Sequence, residues 1–191
     1  MAITAVLAYL LLIAYFVIER LLRKGESALS LQAGKSDRGS SKVIWMTGLF
    51  SIFLILGAPI LNAYRIGYWN DLYVGWVGVL LMLSGLSLRY WAAKILGRFY
   101  TRTLQTDTDQ EIVDRAPYSV IRHPGYLGTF LMEIGAGLAV TNWIVLVTLT
   151  TIGALSRFYR IQVEEEMLKT KFGEQYQAYR DKTWKLVPFI C

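Results

Sequence analysis

Three uncharged apolar runs restrict this chain more than any other feature: about Met1 to Ile18, Val43 to Leu61 and Leu72 to Leu88. A helix needs about 20 apolar residues to cross the hydrocarbon core of a bilayer, and each run approaches that length. Basic residues follow the first run (Arg20, Arg23, Lys24) instead of preceding it, so it reads as a retained transmembrane helix, not a signal peptide. The chain is 54% hydrophobic, which together with such runs sets it apart from a soluble domain. Pro59 falls late in the second run and predicts a kink or an end there. Gly75, Gly78, Ser84, Gly85 and Ser87 in the third run predict close helix–helix approach.

The remaining segments are less uniform. Gly34 to Ser41 reads as a flexible loop, and Asn62 to Asn70 carries aromatic residues suited to a membrane surface. Arg89 to Tyr100 reads as helix leaving the membrane, Thr101 to Asp109 as a polar loop, and Gln110 to Tyr118 as an extended pass ending in a turn. Two shorter runs, Tyr126 to Val140 and Trp143 to Leu155, flank Thr141-Asn142 and read as a helical hairpin. Ser156 to Lys182 reads as helix throughout.

Lys and Arg are distributed in alternation. The first inter-span segment holds six, the second only Arg65, the third six, the hairpin turn none and the tail after Leu155 seven. Positive residues collect on the cytoplasmic side, which predicts five crossings, an outside amino terminus, and a cytoplasmic third loop and tail. The net charge of +6 is thereby a matter of membrane orientation, and no basic stripe suggests a nucleic-acid partner. One cysteine, Cys191, and one histidine, His123, supply no zinc-binding set, so no metal is expected. The expectation is an all-α integral membrane protein of five transmembrane helices, the last two a hairpin. It divides into 1–87, carrying the first three helices, and 88–191, carrying the polar loop, the hairpin and a cytoplasmic C-terminal helix.

Two groups of residues invite a chemical reading. Arg122-His123-Pro124-Gly125-Tyr126-Leu127-Gly128 lies where polar sequence meets apolar sequence. It reads either as a surface turn with an interfacial tyrosine or as the wall of a ligand site. In the tail, Arg157, Arg160 and Glu164 fall at i, i+3 and i+7 and share a helix face, while Glu165 and Glu166 point elsewhere, one to solvent. The plain reading is two snorkelling arginines and an ion pair with Glu164 worth about 0.2–0.5 kcal/mol.

Taken together, these groups carry a resemblance. The order Tyr118, Arg-His-Pro-x-Tyr-x-Gly, a short hairpin, Arg followed by Glu-Glu, Phe172-Gly173, Tyr176, Tyr179 and Val187-Pro188-Phe189 resembles the isoprenylcysteine carboxyl methyltransferase family. These are membrane enzymes that methylate a carboxylate using S-adenosylmethionine. The resemblance covers roughly Leu88 to Phe189, and five crossings suggest a compact prokaryotic member. It implies a cytoplasmic cofactor-binding loop, a cofactor site at Gln105, Gln110, Glu111, Ile112, Val113, Tyr118, His123, Pro124, Gly125, Tyr126 and Glu164, and a substrate-positioning Arg160. The partner it implies is a lipophilic carboxylate entering from the bilayer lipids. The loop is about two residues shorter than the family's, the stretch at Gln110 begins with glutamine in place of histidine, and Glu133 stands where relatives carry a small polar residue.

The chemistry fits these residues independently. Methyl transfer from a sulfonium to a carboxylate cancels opposite charges, and a carboxyl group of pKa about 4 is already ionised at pH 7, so no general base is needed. The protein has to align the reactants, oxygen roughly 3–3.5 Å from the methyl group, and exclude water. A guanidinium offers a planar fork of donors to a carboxylate, Glu164 can accept from the cofactor's amino or ribose groups, and irregular backbone at Pro124-Gly125 can offer unpaired N–H and C=O groups. No glycine-rich strand–turn–helix signature is present, which excludes a soluble Rossmann methyltransferase. Glu133, two turns into an apolar helix, suggests either function or a structural pair with Arg157 or Arg160. Methylation of a lipid amine, a nicotinamide-dependent sterol-reductase-like activity and a non-enzymatic scaffold or transporter are the competing readings.

Overall fold

The computed structural model describes residues 3–23, 37–101 and 111–188, excepting the side chain of Arg98. Helices follow the apolar runs: α1 (Ile3–Leu22), α2 (Ser40–Ala63), α3 (Leu72–Leu96, continued by a 3-10 turn Gly97–Phe99), α4 (Pro124–Ala139), α5 (Trp143–Phe172) and α6 (Glu174–Asp181). Among the described residues there is no strand, only isolated bridges between Tyr68 and Asn142 and between Ile121 and Trp184. Helices α1, α2, α3 and α5 are long and apolar enough to cross a membrane. Helix α4 has 16 residues, about 24 Å at 1.5 Å per residue, against a hydrocarbon core of about 30 Å.

The tightest packing joins α3 and α4. A Cβ added at Gly135 would lie 2.6 Å from the Gly78 carbonyl oxygen, and one at Gly128 would lie 2.6 Å from that of Gly85. Residues seven apart return to the same helix face, so the pairs 78/135 and 85/128 lock two antiparallel helices at backbone contact. This close approach brings the end of α3 against the start of α4. Large side chains such as Leu21 and Phe53 point outward, 67% and 77% exposed, as lipid contact requires.

Two local expectations need correction. Of the kink or end expected at Pro59, the end does not occur there: α2 runs on to Ala63. A helical proline orphans the carbonyl four residues earlier, and the Tyr9 hydroxyl on α1 donates to the Ile55 carbonyl at 3.3 Å. The tail is not one continuous helix, because Gly173, with φ 53°, separates α5 from α6. That left-handed angle suits glycine and turns α6 back over the end of the bundle.

The hairpin turn is held by protein groups. Fully buried Asn142 accepts from the Ile144 and Val145 amides as the N-cap of α5, and donates to Asn62 Oδ1 at 2.7 Å and the Ile66 carbonyl at 2.8 Å. One side chain thus satisfies helix-start donors and fastens the α4–α5 turn to the α2–α3 link.

Candidate active site

The C-terminal ends of α1 and α3, the starts of α2 and α4, the second half of α5 and α6 surround one cleft. The wall that enters α4 is built locally. Residues 115–120 form a turn containing a cis Ala116–Pro117 bond, and a strap from the chain end then seizes residues 120–123. Trp184 N–H donates to the Val120 carbonyl, and the Arg122 and His123 amides donate to the carbonyls of Trp184 and Lys185. Pro124 opens α4 at its first position, where its missing N–H has no helical partner to lose. The backbone at Pro124-Gly125 is therefore regular helix, contrary to expectation, and the irregular stretch lies just before it.

The cleft has a volume of about 210 Å³, room for part of a drug-sized ligand, whose pockets begin at roughly 300 Å³. Thr101 and Glu111, on either side of residues 102–110, both line it. Gln105 and Gln110 fall in that stretch and lie outside the described residues. The other candidates, Glu111, Ile112, Val113, Tyr118, His123, Pro124, Gly125, Tyr126, Arg160 and Glu164, all line the cleft. Their gathering is a product of the fold, since loop, α4 and α5 each supply some.

At its centre the Tyr126 hydroxyl donates to Glu164 Oε2 at 2.6 Å and accepts from Arg160 Nε at 3.0 Å. Arg160 Nη1 lies 2.7 Å from Asp37 Oδ1, 2.8 Å from Ser40 Oγ and 2.7 Å from Ser41 Oγ. Arg160 therefore pairs with Asp37 and not with Glu164, and its Nη2 donates to none of the described residues. Tyr118, Tyr176 and Tyr179 complete the wall. Burial pushes all three phenols up, Tyr179 to about 12, so each is a protonated donor at neutral pH.

Three adjacent carboxylates on α5 go three ways. Glu164 faces the cleft, and Glu166 meets Arg38 at an exposed pair. Glu165, expected off the face that carries Arg160 and Glu164, is not among the residues lining the cleft: it accepts from Arg122 Nε at 3.0 Å and lies 3.2 Å from His123 Nε2. It joins α5 to the strap, since Arg122 Nη1 also donates to the carbonyls of Arg180 and Thr183. The glutamate run was visible in the sequence, but its direction depends on helix phase against a neighbour.

A second polar group closes the opposite wall and was not anticipated. Glu19 accepts from Arg89 Nε at 2.6 Å and from the Tyr100 hydroxyl at 2.5 Å, and lies 2.5 Å from Arg23 Nη2. Arg89 Nη1 continues to the Gly125 carbonyl at 2.9 Å, which ties α1 to the start of α4. The break of charge at Glu19 was its only sequence signal. Glu133 meets Arg157 in a two-pronged pair of 2.8 and 2.9 Å, away from Arg160. Among the described residues no group of three His, Cys, Asp or Glu is arranged to hold a metal ion.

Comparison with known proteins decides the lineage. A family model described as the isoprenylcysteine carboxyl methyltransferase family matches residues 76–170. A probable protein-S-isoprenylcysteine O-methyltransferase from Oryza sativa subsp. indica is 30% identical over 127 residues, covering 64% of each chain. The chain belongs to the isoprenylcysteine carboxyl methyltransferase family. The protein-S-isoprenylcysteine O-methyltransferase of Saccharomyces cerevisiae is 35% identical over 118 residues, covering 60% of this chain and 48% of that one. A solved structure of the eukaryotic intramembrane Ras methyltransferase, 24% identical, shares the fold with a TM-score of 0.62 over 77% of this chain and 52% of its own. The chain thus spans about half to just under two-thirds of these relatives' length. The match to the methyltransferase family includes Tyr118, the His123–Tyr126 turn, Arg160 and Glu164, and leaves out Glu19, Asp37, Tyr176 and Tyr179.

Proposed function

We propose that this chain transfers the methyl group of S-adenosylmethionine to the carboxylate of a lipophilic acceptor such as an isoprenylcysteine, giving a methyl ester. The observation that carries the reading is the hydrogen-bonded set Tyr126, Glu164 and Arg160, held in one cleft beside the His123-Pro124-Gly125 turn. The cleft also fits a polar ligand on independent grounds. Tyr176 lines it, and its buried hydroxyl has no hydrogen-bond partner among the described residues. Such an atom is costly to leave unpaired. Glu164 spends Oε2 on Tyr126, which leaves Oε1 for an amino or ribose group.

When bound, S-adenosylmethionine supplies a methyl group on a positively charged sulfur. Glu111, Ile112, Val113, Tyr118, His123, Pro124, Gly125, Tyr126 and Glu164 hold it, joined by Gln105 and Gln110. Arg160 presents Nη2 to the acceptor carboxylate. This is an end-on contact and not the fork, because Nε and Nη1 are already engaged. The carboxylate is ionised at neutral pH, so its oxygen lone pair forms the ester bond as the sulfur–carbon bond breaks, and no proton moves. His123 is accordingly spared from acting as a base, and its ring faces Glu165.

The same reading sets the membrane topology at five crossings, with the amino terminus outside and the cleft and carboxy terminus cytoplasmic. The turn after α4 touches the α2–α3 link, and the start of α4 touches Arg89. Helix α4 therefore matches the depth of the apolar part of α3 despite its length. The Lys and Arg alternation supports the orientation. The methyltransferase region is 88–191, with 1–87 supplying membrane helices and α3 running between the two.

Calorimetric titration of the detergent-solubilised protein with S-adenosylhomocysteine tests the cofactor class. Transfer of labelled methyl from S-adenosylmethionine to an N-acetyl-S-prenylcysteine tests the acceptor. Saturable heat and a base-labile methyl ester are expected. Folded protein that gives neither heat nor a thermal shift refutes the reading.

A further inference from the structure

We infer that Asp37 is a positioning residue that both aims Arg160 and weakens its positive field at the acceptor carboxylate. The inference rests on the proposed methyl transfer and adds to it a residue outside the family-matched segment. Asp37, Ser40, Ser41 and Arg160 are 2%, 0%, 8% and 5% exposed, so they form a closed polar cage at the start of α2. Asp37 accepts from the Ser41 amide at 3.1 Å and from the Ser41 and Ser40 hydroxyls at 2.6 and 3.1 Å. Those hydroxyls and Asp37 Oδ1 together surround Arg160 Nη1. Tyr126 occupies Nε. The guanidinium plane is fixed on two edges, and only Nη2 is left to meet a ligand.

The sign of the reaction explains why a counter-ion belongs there. Sulfonium and carboxylate are both charged before transfer and both neutral after it. A lone buried cation on the carboxylate stabilises the reactant more than a transition state whose charge is already fading, so it raises the barrier. It also repels the sulfonium. Asp37 at 2.7 Å offsets that cation without moving it. Arg160 can then orient the acceptor without trapping it, and a neutral ester leaves without a lost ion pair.

Asp37→Asn keeps an acceptor oxygen in the cage and removes the charge. The expected result is a split: KM for the prenylcysteine acceptor falls several-fold while kcat falls on the order of tenfold. S-adenosylhomocysteine affinity stays within about twofold, and Asp37→Glu recovers most of kcat. A purely structural role would instead lower kcat with KM unchanged or raised, and would weaken S-adenosylhomocysteine binding. Either of those results overturns the inference. If Asp37→Asn does not fold, the wild-type protein carries the test through its affinities for the acceptor carboxylate and for its methyl ester. A shielded Arg160 separates them by less than about tenfold, whereas an unshielded buried pair separates them on the order of a hundredfold or more. The larger ratio overturns the inference. Wild-type protein that binds no S-adenosylhomocysteine and transfers no methyl group removes the functional reading itself. Normal wild-type activity without the kinetic split removes only the role of Asp37.

Discussion

Alanine at Glu164, Glu165 or Glu166 is expected to give three different outcomes, although the residues are adjacent and chemically alike. About 100° separates neighbours on a helix, and each carboxylate meets a different environment. Glu165→Ala leaves Arg122, whose side chain is 8% exposed, without its carboxylate, and His123 without its ring partner. Breaking a buried pair from one side costs about 3–5 kcal/mol. Arg122 keeps the Arg180 and Thr183 carbonyls, so about 2–3 kcal/mol is the better figure. At about 2–4 °C per kcal/mol for a chain of this size, the melting temperature falls by about 4–12 °C. Glu166→Ala removes a pair whose side chains are 57% and 61% exposed, which is worth about 0–1 kcal/mol and shifts melting little. Glu164→Ala leaves melting close to wild type but removes a charged acceptor from the cleft. At about 1.5–3 kcal/mol, S-adenosylhomocysteine affinity falls about 10- to 100-fold. Thermal denaturation in detergent and calorimetry separate the three. Glu165→Ala melting with wild type, or Glu166→Ala melting as low as Glu165→Ala, would refute the partition.

Further outcomes follow from the same geometry. Glu133→Gln takes the carboxylate from Arg157, which keeps the Gly153 carbonyl, and is expected to lose about 2–3 kcal/mol of stability, while folded protein retains its S-adenosylhomocysteine affinity; unchanged melting counts against the structural pairing. Tyr176→Phe removes a buried hydroxyl that lacks a partner among the described residues, so melting is unchanged or higher while ligand affinity falls about 3- to 10-fold. A lower melting temperature in that variant would mean the hydroxyl is already satisfied. At Asp37 burial pushes the carboxyl up, but the Ser41 hydrogen bonds and the Arg160 charge outweigh it and hold the group below the usual range. Its stabilisation is thus complete above the unfolded value of about 4 and lost as pH falls through the lower folded value. Asp37→Asn accordingly flattens the acid limb of the stability curve, and equal slopes in wild type and variant would exclude a depressed Asp37.

Much of the candidate site was legible because it is encoded by short segments. His123 through Tyr126 are contiguous, and Arg160 and Glu164 are one helical turn apart, so proximity within each group is a matter of local geometry. The partners that define their roles are not local. Asp37 and Arg160 lie 123 residues apart, and Arg89 and Glu19 lie 70 apart. Helix phase separates Glu165 from Arg160 and Glu164, but only packing against the strap shows that its partners are Arg122 and His123.

The sequence by itself determined that long apolar helices separated by basic segments would form, because backbone groups in lipid must be paired within the helix. It also determined which short motifs could carry methyl-transfer chemistry, whereas the start of α4 at Pro124, two residues before the apolar run, came from the folded structure. Tertiary structure alone decided that α4 packs backbone-to-backbone on α3, that Pro59 is accommodated by a hydroxyl from α1, and that Arg160 is held by Asp37. Those outcomes depend on which helix faces meet. Small residues and buried charges state a requirement for a close neighbour, but only the folded bundle supplies that neighbour's identity.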